Sequence, residues 1–575
     1  MTSRRVPIDL VPYLAEQKRI ATRGSVLLGN THWFDQLSLG KLIRAAARIG
    51  VTATLVSGCT VGPDFEPVPA PVLDSWQKSN VLRIDRSTGL TSRSEPATYW
   101  WKVLDDPTLD KLVRMAYSQN LTLRTAGIRI YEARAQLGII IGDGYPQTQQ
   151  VGAGFKQERV ADNVGVLRDI SRVVDFDPSF RRWDVGFDAG WELDIWGKFR
   201  RGVEAADANL IAEIANYDDV LVTLTGEVAK AYVTIRELQE ELAITRRNVS
   251  LQSQSLGITR LRLKDGVTTE LDVQEATILL NNTKSLIPKL ESDLQQAKNA
   301  LSLLLGLPPN QIAPLLGGRR GVPRPPLNVA VGVPAQLLNR RPDIRAAELK
   351  AQSRAAQIGV AQADLYPAFT ISGAIGFKSS NLAELFQRQS VTGVINPAVT
   401  WDVLNYGRIR NGVRVQDAKY QEAITEFQQK VLKAYKEVED ALVGFAKAKQ
   451  QAQFLVRSVA ASRRAVKIAS AQYRDGTADY TRVLNAQQAL LKSESQLISV
   501  RADIVNNLIA AYKALGGGWL PANFNGFIPE SVKEEMRART NWGRLLDPSA
   551  LSPEERDLVQ PPSPLPRLEK RLPEV

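Results

Sequence analysis

Apolar and polar residues alternate strictly from Trp183 to Ile195. Trp183, Val185, Phe187, Ala189, Trp191, Leu193 and Ile195 share one face, and Asp184, Gly186, Asp188, Gly190, Glu192 and Asp194 share the other. A period of two predicts a β-strand with one apolar and one acidic face. A similar alternation runs through Phe369, Ile371, Ile375 and Phe377. Another places Ile395, Val399, Trp401 and Val403 opposite Asn396, Ala398, Thr400 and Asp402, and a weaker one runs through Val151, Ala153 and Phe155. Strands of about ten residues with aromatic-rich apolar faces fit a soluble sandwich or a transmembrane β-barrel, and periodicity alone does not separate the two.

After Gly202 and Gly412 the period changes. Leu210, Ile214, Tyr217, Leu221, Leu224, Val228, Ala231 and Ile235 step by fours and threes, as do Tyr420, Ile424, Phe427, Val431, Tyr435, Val438, Leu442 and Phe445. Each run is an amphipathic helix with one seam. No proline interrupts residues 203–265 or 413–475, so each helix can extend roughly 90 to 95 Å, too long for a compact globule. The helices are expected to end at Lys264-Asp265-Gly266-Val267 and Arg474-Asp475-Gly476-Thr477, with Gly266 and Gly476 left-handed and Thr269 and Asp479 capping the next helix. Shorter helices then return over about 270–305 and 480–515. Residues 342–364 would complete the first return and residues 108–141 the second. The proline-rich segment 306–341 would bulge out at mid-shaft.

These parallels are one duplication. Trp191, Gly197, Lys198, Arg200, Gly202 and Val203 recur 210 residues later as Trp401, Gly407, Arg408, Arg410, Gly412 and Val413. Upstream, Tyr145-Pro146 recurs as Tyr366-Pro367 at a spacing of 221, so the first copy has the longer loop between its strands. A period this long means two large copies of one element rather than a solenoid.

Composition then narrows the chemistry. One cysteine, Cys59, and one histidine, His32, both precede the first copy, which excludes Cys/His zinc sites, disulfide frameworks and histidine-based triads from the folded region. No catalytic, cofactor or metal residues are assigned. No run of 18 apolar residues exists, so a membrane span must be a closed barrel. The net charge of +12 raises nucleic acid as a partner, but the paired arginines are dispersed along helices without a basic groove, and no nucleic-acid partner is expected.

Lys41, Arg44 and Arg48 precede a short apolar stretch that ends Val56-Ser57-Gly58-Cys59, the pattern of an export signal. Residues 1–40 carry no feature that demands them, and a translation start near Leu37 or Leu39 would leave a signal of ordinary length. The Val-Ser-Gly-Cys end resembles a bacterial lipobox, which implies an acylated Cys59 at the mature N-terminus.

Leu337-Leu338-Asn339-Arg340-Arg341-Pro342-Asp343-Ile344-Arg345-Ala346-Ala347-Glu348, with Tyr366-Pro367 and the lipobox, resembles the outer-membrane efflux protein family, and most the NodT-type lipoprotein branch of its TolC-like channels. Supporting matches are Asp106-Pro107, Asn120-Leu121, Gly197-Lys198, Gly407-Arg408 and Val483-Leu484-Asn485-Ala486-Gln487. The resemblance implies an α+β membrane protein with a long antiparallel helical periplasmic tunnel. Four strands per chain would enter a trimeric 12-stranded outer-membrane barrel. Its partners would be two further copies, outer-membrane lipid, a periplasmic adaptor and an inner-membrane transporter, with no cofactor. The tip residues Lys264, Asp265, Gly266, Val267, Arg474, Asp475, Gly476 and Thr477 would dock the adaptor. Asp184, Asp188, Glu192 and Asp194 would line the barrel lumen. Some relatives ring the tunnel entrance with aspartates, where this sequence carries Arg482 and Asn485. Pro342, by contrast, suits the first turn of a helix, with Asp343 and Glu348 near its positive end.

The expected organisation is a signal region at 1–58, an N-terminal linker and equatorial segment at 59–107, a first repeat at 108–306, an equatorial subdomain at 307–341, a second repeat at 342–516 and a flexible periplasmic tail at 517–575. The expected function is a passive duct of a tripartite efflux system of the RND type. Alternatives are the outer channel of a type I protein-secretion system and, in another class, a soluble coiled-coil scaffold.

Overall fold

The glycines that begin the two long helices are left-handed, Gly197 at φ +80° and Gly407 at φ +85°, so the chain turns sharply out of a strand and into a helix at each. The helices therefore start earlier than their seams predict. The computed structural model describes residues 60–69, 90–91, 99–159, 161, 179–309, 311–317, 321–325, 329–330, 341–518 and 526–547, all within the unit Thr60–Val575. Cys59, the signal region and Leu337 to Arg340 lie outside them.

In chain order the helices are α1 (Pro107–Gln119), α2 (Leu121–Asp143), α3 (Lys198–Lys264), α4 (Glu270–Leu304), α5 (Pro342–Ala363), α6 (Arg408–Arg474), α7 (Tyr480–Ala514) and α8 (Glu530–Arg539). Helices α3 and α6 are 67 residues each, about 100 Å, and α4 and α7 are 35 residues each, so the duplication read from sequence is also a duplication of lengths. Among the described residues no helix is long and apolar enough to cross a membrane.

Four strands, β2 (Thr148–Arg159), β3 (Ser179–Leu193), β5 (Ala368–Ser379) and β6 (Val391–Thr400), form one antiparallel sheet in the order β2-β3-β5-β6. A two-residue β1 (Leu90–Thr91) pairs in parallel with β4 (Val329–Ala330), joining the N-terminal segment to the equatorial one. Register decides the sheet's faces. Phe155 lies opposite Trp183, Phe187 opposite Ile375, and Phe369 opposite Val399, so the apolar sets of all four strands fall on one face. The opposite face carries Gly152, Gly154, Asp184, Asp188, Thr370, Ser372 and Asn396. Among the described residues nothing covers the apolar face, where Val151 and Ile395 are both 81% exposed. Among the described residues, strands β2 and β6 each have one unpaired edge.

Two sequence expectations are corrected at mid-shaft. Residues 108–141 are two helices rather than one, broken at Asn120, whose extended backbone (ψ 127°) leaves the helical region and whose side chain caps α2. The completion of the returns is also exchanged. Asn120 Nδ2 donates to the carbonyl of Leu304 at 2.8 Å, which sets α2 on the end of α4, while Arg341 sets α5 on the end of α7. Chain lengths alone allow either pairing; the capping side chains select this one.

The largest core lies at this level, with Trp100, Trp101, Leu109, Leu112, Val228, Tyr232, Leu301, Phe445, Leu508 and Tyr512 among its buried residues. Trp100 stacks on Tyr512 at 5.6 Å, and Asp106 both caps α1 and accepts a hydrogen bond from the Tyr232 hydroxyl at 2.7 Å. The tail is corrected in part. Within 526–547, Ile528, Met536 and Leu546 bury against Tyr131, and Gly127 gives the close approach that lets the chain lie across α2. Residues 548–575 lie outside the described ones.

Candidate functional site

Three places in this frame carry functional geometry: the helical tips, the sheet-to-helix joint and the polar face of the sheet.

At the tips Gly266 and Gly476 adopt φ +71° and +77°, as the sequence requires. Val267 N–H reaches back to the Arg262 carbonyl at 3.0 Å and Thr477 N–H to that of Gln472 at 2.9 Å, so both turns close the same way. Asp479 accepts from the Arg482 N–H and caps α7. Thr269 occupies the corresponding cap position without a side-chain bond, and the neighbouring Thr268 hydroxyl instead donates to Asp272. Lys264, Asp265, Gly266, Val267, Arg474, Asp475 and Gly476 are solvent-facing, with Thr477 also exposed.

The two tips are bound to each other. Leu256, Val273, Ala276 and Leu280 of the first hairpin bury against Ala469, Tyr473, Tyr480 and Val483 of the second. Arg262 crosses between them, donating to the carbonyls of Tyr473 and Arg474 with its guanidinium 4.6 Å from the Tyr473 ring centre. Further up, Glu494 accepts from Arg463 on α6 at 2.7 Å and from Asn248 on α3 at 3.1 Å. The sequence reading missed both residues. The available signal was departure from the repeat: the partners of Arg262 and Glu494 at a spacing of 210 are Gln472 and Lys284. Arg482 and Asn485 sit exposed on the first turns of α7.

At the joint the repeated tryptophans lie at strand ends, and each ties down the matching Tyr-Pro turn. Trp191 Nε1 donates to the Gly144 carbonyl at 3.3 Å and Trp401 Nε1 to that of Leu365 at 3.0 Å. Thr60 packs on Gly197, and Gly62 meets Gly359 so closely that a Cβ on either would clash. The buried Arg201 holds this strap through Asp64 at 2.7 Å and the carbonyls of Val61 and Gly62. The residue after Cys59 is thereby fixed at the boundary between sheet and helices.

On the polar face Asp184 and Asp188 lie within the sheet, and Glu192, near its end, approaches Lys198 at 3.6 Å. Asp194 is corrected: it lies past the end of β3, and its carboxylate accepts from the N–H groups of Phe199 and Arg200 at 3.1 and 3.0 Å. It satisfies the first turn of α3, where backbone donors lack helical partners. Among the described residues no cluster of His, Cys, Asp and Glu could hold a metal.

The profile of the family described as Outer membrane efflux protein matches residues 112–307 and 333–517. Outer membrane protein OprJ of Pseudomonas aeruginosa is 29% identical over 477 residues, covering 82% of this chain and 96% of that protein. Probable outer membrane lipoprotein SilC of Salmonella typhimurium is 27% identical over 470 residues, covering 82% of this chain and 98% of that protein. The structure of the outer-membrane channel OprN is 31% identical with a TM-score of 0.73, covering 80% of this chain and 100% of that one. The open-edged sheet with its apolar face, the duplicated long helices and these matches agree: the chain belongs to the outer membrane efflux protein family.

Proposed function

We propose that three copies of this chain close a 12-stranded barrel in the outer membrane and a helical tunnel below it, forming the exit duct of a tripartite efflux system. The observation that carries this reading is the register of the sheet, which gathers every apolar strand face on one side and leaves β2 and β6 with open edges. Lipid cannot satisfy a free strand edge, and four strands are too few to close, the smallest such barrels having about eight. Further copies must supply the missing strands.

The tips, with their exposed backbone turns and Val267, are the proposed docking surface for a periplasmic adaptor. An inner-membrane transporter of the RND type would load the tunnel. Asp184, Asp188 and Glu192 face its water-filled upper lumen. Cys59 is the proposed acylation site, next in sequence to Thr60, which packs on Gly197 in the strap that Arg201 holds. The duct itself performs no chemistry. Among similar proteins, one is named a pyoverdine export outer membrane protein and others cation efflux system proteins, so cargo varies among relatives.

Deleting the gene and measuring susceptibility to a panel of toxic small molecules tests the reading. Sensitisation restored by the intact chain is expected, together with discrete single-channel conductance of the purified protein in planar bilayers. Unchanged susceptibility with no conductance would contradict it.

A further inference from the structure

A cavity of about 1200 Å³ opens at mid-shaft between α3, α4, α6, α7 and the equatorial residues Leu316, Gly317 and Gly321 to Pro325. Its wall holds Arg236, Arg246, Arg247, Lys298, Arg324 and Arg501 against one carboxylate, Glu240. That carboxylate is already engaged by Arg501 at 3.7 Å and by the Val322 N–H at 3.3 Å, and Arg246 pairs with Glu291 at 2.7 Å. No carboxylate among the described residues pairs with Arg247, Lys298 or Arg324. At the floor, Arg236 is 1% exposed. Its terminal nitrogens bond Gln239 and the Leu316 carbonyl, while Nε has no hydrogen-bond partner among the described residues.

Three of these cations are absent from the second copy, while Arg247 recurs there as Arg457. At a spacing of 210, Arg236, Arg246 and Lys298 correspond to Ala446, Val456 and Leu508, and the equatorial segment has no second copy. Arg247, Lys298 and Arg324, without carboxylate partners among the described residues and gathered round one cavity beside the buried Arg236, make a site suited to anions. The cationic groups are distributed over four segments around a space much larger than one oxyanion, so the ligand must carry more than one charge.

We propose that this cavity binds a small polyanion bearing at least two phosphate or carboxylate groups. The site is separate from the tips, the joint and the lumen face.

Calorimetric titration of the intact detergent-solubilised assembly at low salt tests the proposal, with tripolyphosphate and the tricarboxylate tricarballylate as probes. At least one should bind, and the tighter of the two identifies the anion class. Arg247→Glu combined with Arg324→Glu, both at exposed positions, should weaken binding by about tenfold or more while assembly size is unchanged. The corresponding pair of lysine substitutions should bind within about threefold of the natural chain, since charge is retained. If the double reversal does not assemble, Lys298→Leu, which installs the second copy's residue, should still weaken binding measurably. Absence of binding by both probes, or undiminished binding by the assembled variants, overturns the proposal and leaves the efflux reading untouched.

Discussion

Arg341 donates from Nη1 to the carbonyl of Ala514 at 3.0 Å, joining the start of α5 to the end of α7. In the first copy Asn120 does the same for Leu304, at the positions that correspond through the repeat. One joint is thus made twice with different chemistry: a short amide in copy one and an arginine in copy two. The arginine also reaches Asp343 at 2.9 Å and Glu437 at 2.9 Å, so a single side chain ties three helices.

Arg341→Ala should therefore destabilise the shaft at its middle. It leaves the Ala514 carbonyl without this donor, a loss of about 1 to 3 kcal/mol when the group stays buried. Thermal unfolding followed by circular dichroism should show a lower midpoint, with Arg341→Lys intermediate because it lacks the planar fork. An unchanged midpoint for the alanine variant would mean that the joint is held by packing alone.

The tip glycines separate docking from folding. Around Gly266 there is open space and around Gly476 only the end of Arg262, so valine at either position is opposed by backbone conformation rather than by a clash, at about 1 kcal/mol or more. Gly266→Val and Gly476→Val should each assemble normally yet sensitise cells as much as deletion does. Normal export by both variants would show the tips to be plain turns.

Burial pushes the Asp218 carboxyl up to about 8, against the opposing pull of Arg345 and with Asp219 adding to the rise. Arg345 of α5 faces it across the helix pair and also interacts with Glu348. Because its folded value lies above the ordinary one, the stability it contributes is full below about pH 4 and is lost as pH rises through about 8. Asp218→Asn should consequently flatten the decline in thermal midpoint between pH 5 and pH 9. Parallel declines in the two proteins would place the pH dependence elsewhere.

Much of this architecture was legible because the sequence states it twice. The alternation in β3, the proline-free runs of α3 and α6 and the glycines of both tips have physical periods or backbone demands that identify them without tertiary information. What was illegible depended on three-dimensional partners. Asp194 continues the alternation of β3, yet the unsatisfied N–H groups of α3 claim its carboxylate. Two completions of the returning helices differ by one residue, 23 in α2 against 22 in α5, and only Asn120 and Arg341 choose between them. Arg262 and Glu494 act across the repeat, so each appears in the sequence merely as a residue that its counterpart does not match.

Cys59 should carry acyl chains at a mature N-terminus created by loss of residues 1–58. One chain gives marginal membrane binding and several give firm binding, so multiple acylation is expected. Mass spectrometry of the protein extracted from membranes should find the modified residue, whereas an unmodified Cys59 in the mature chain would refute the anchor.

The central claim is that the open sheet of one chain closes only with two others. Native mass spectrometry of the protein extracted from outer membranes measures this directly. A species of three chains, dissociating only when the barrel unfolds, is the predicted result. A folded, membrane-extracted barrel containing a single chain would contradict the account.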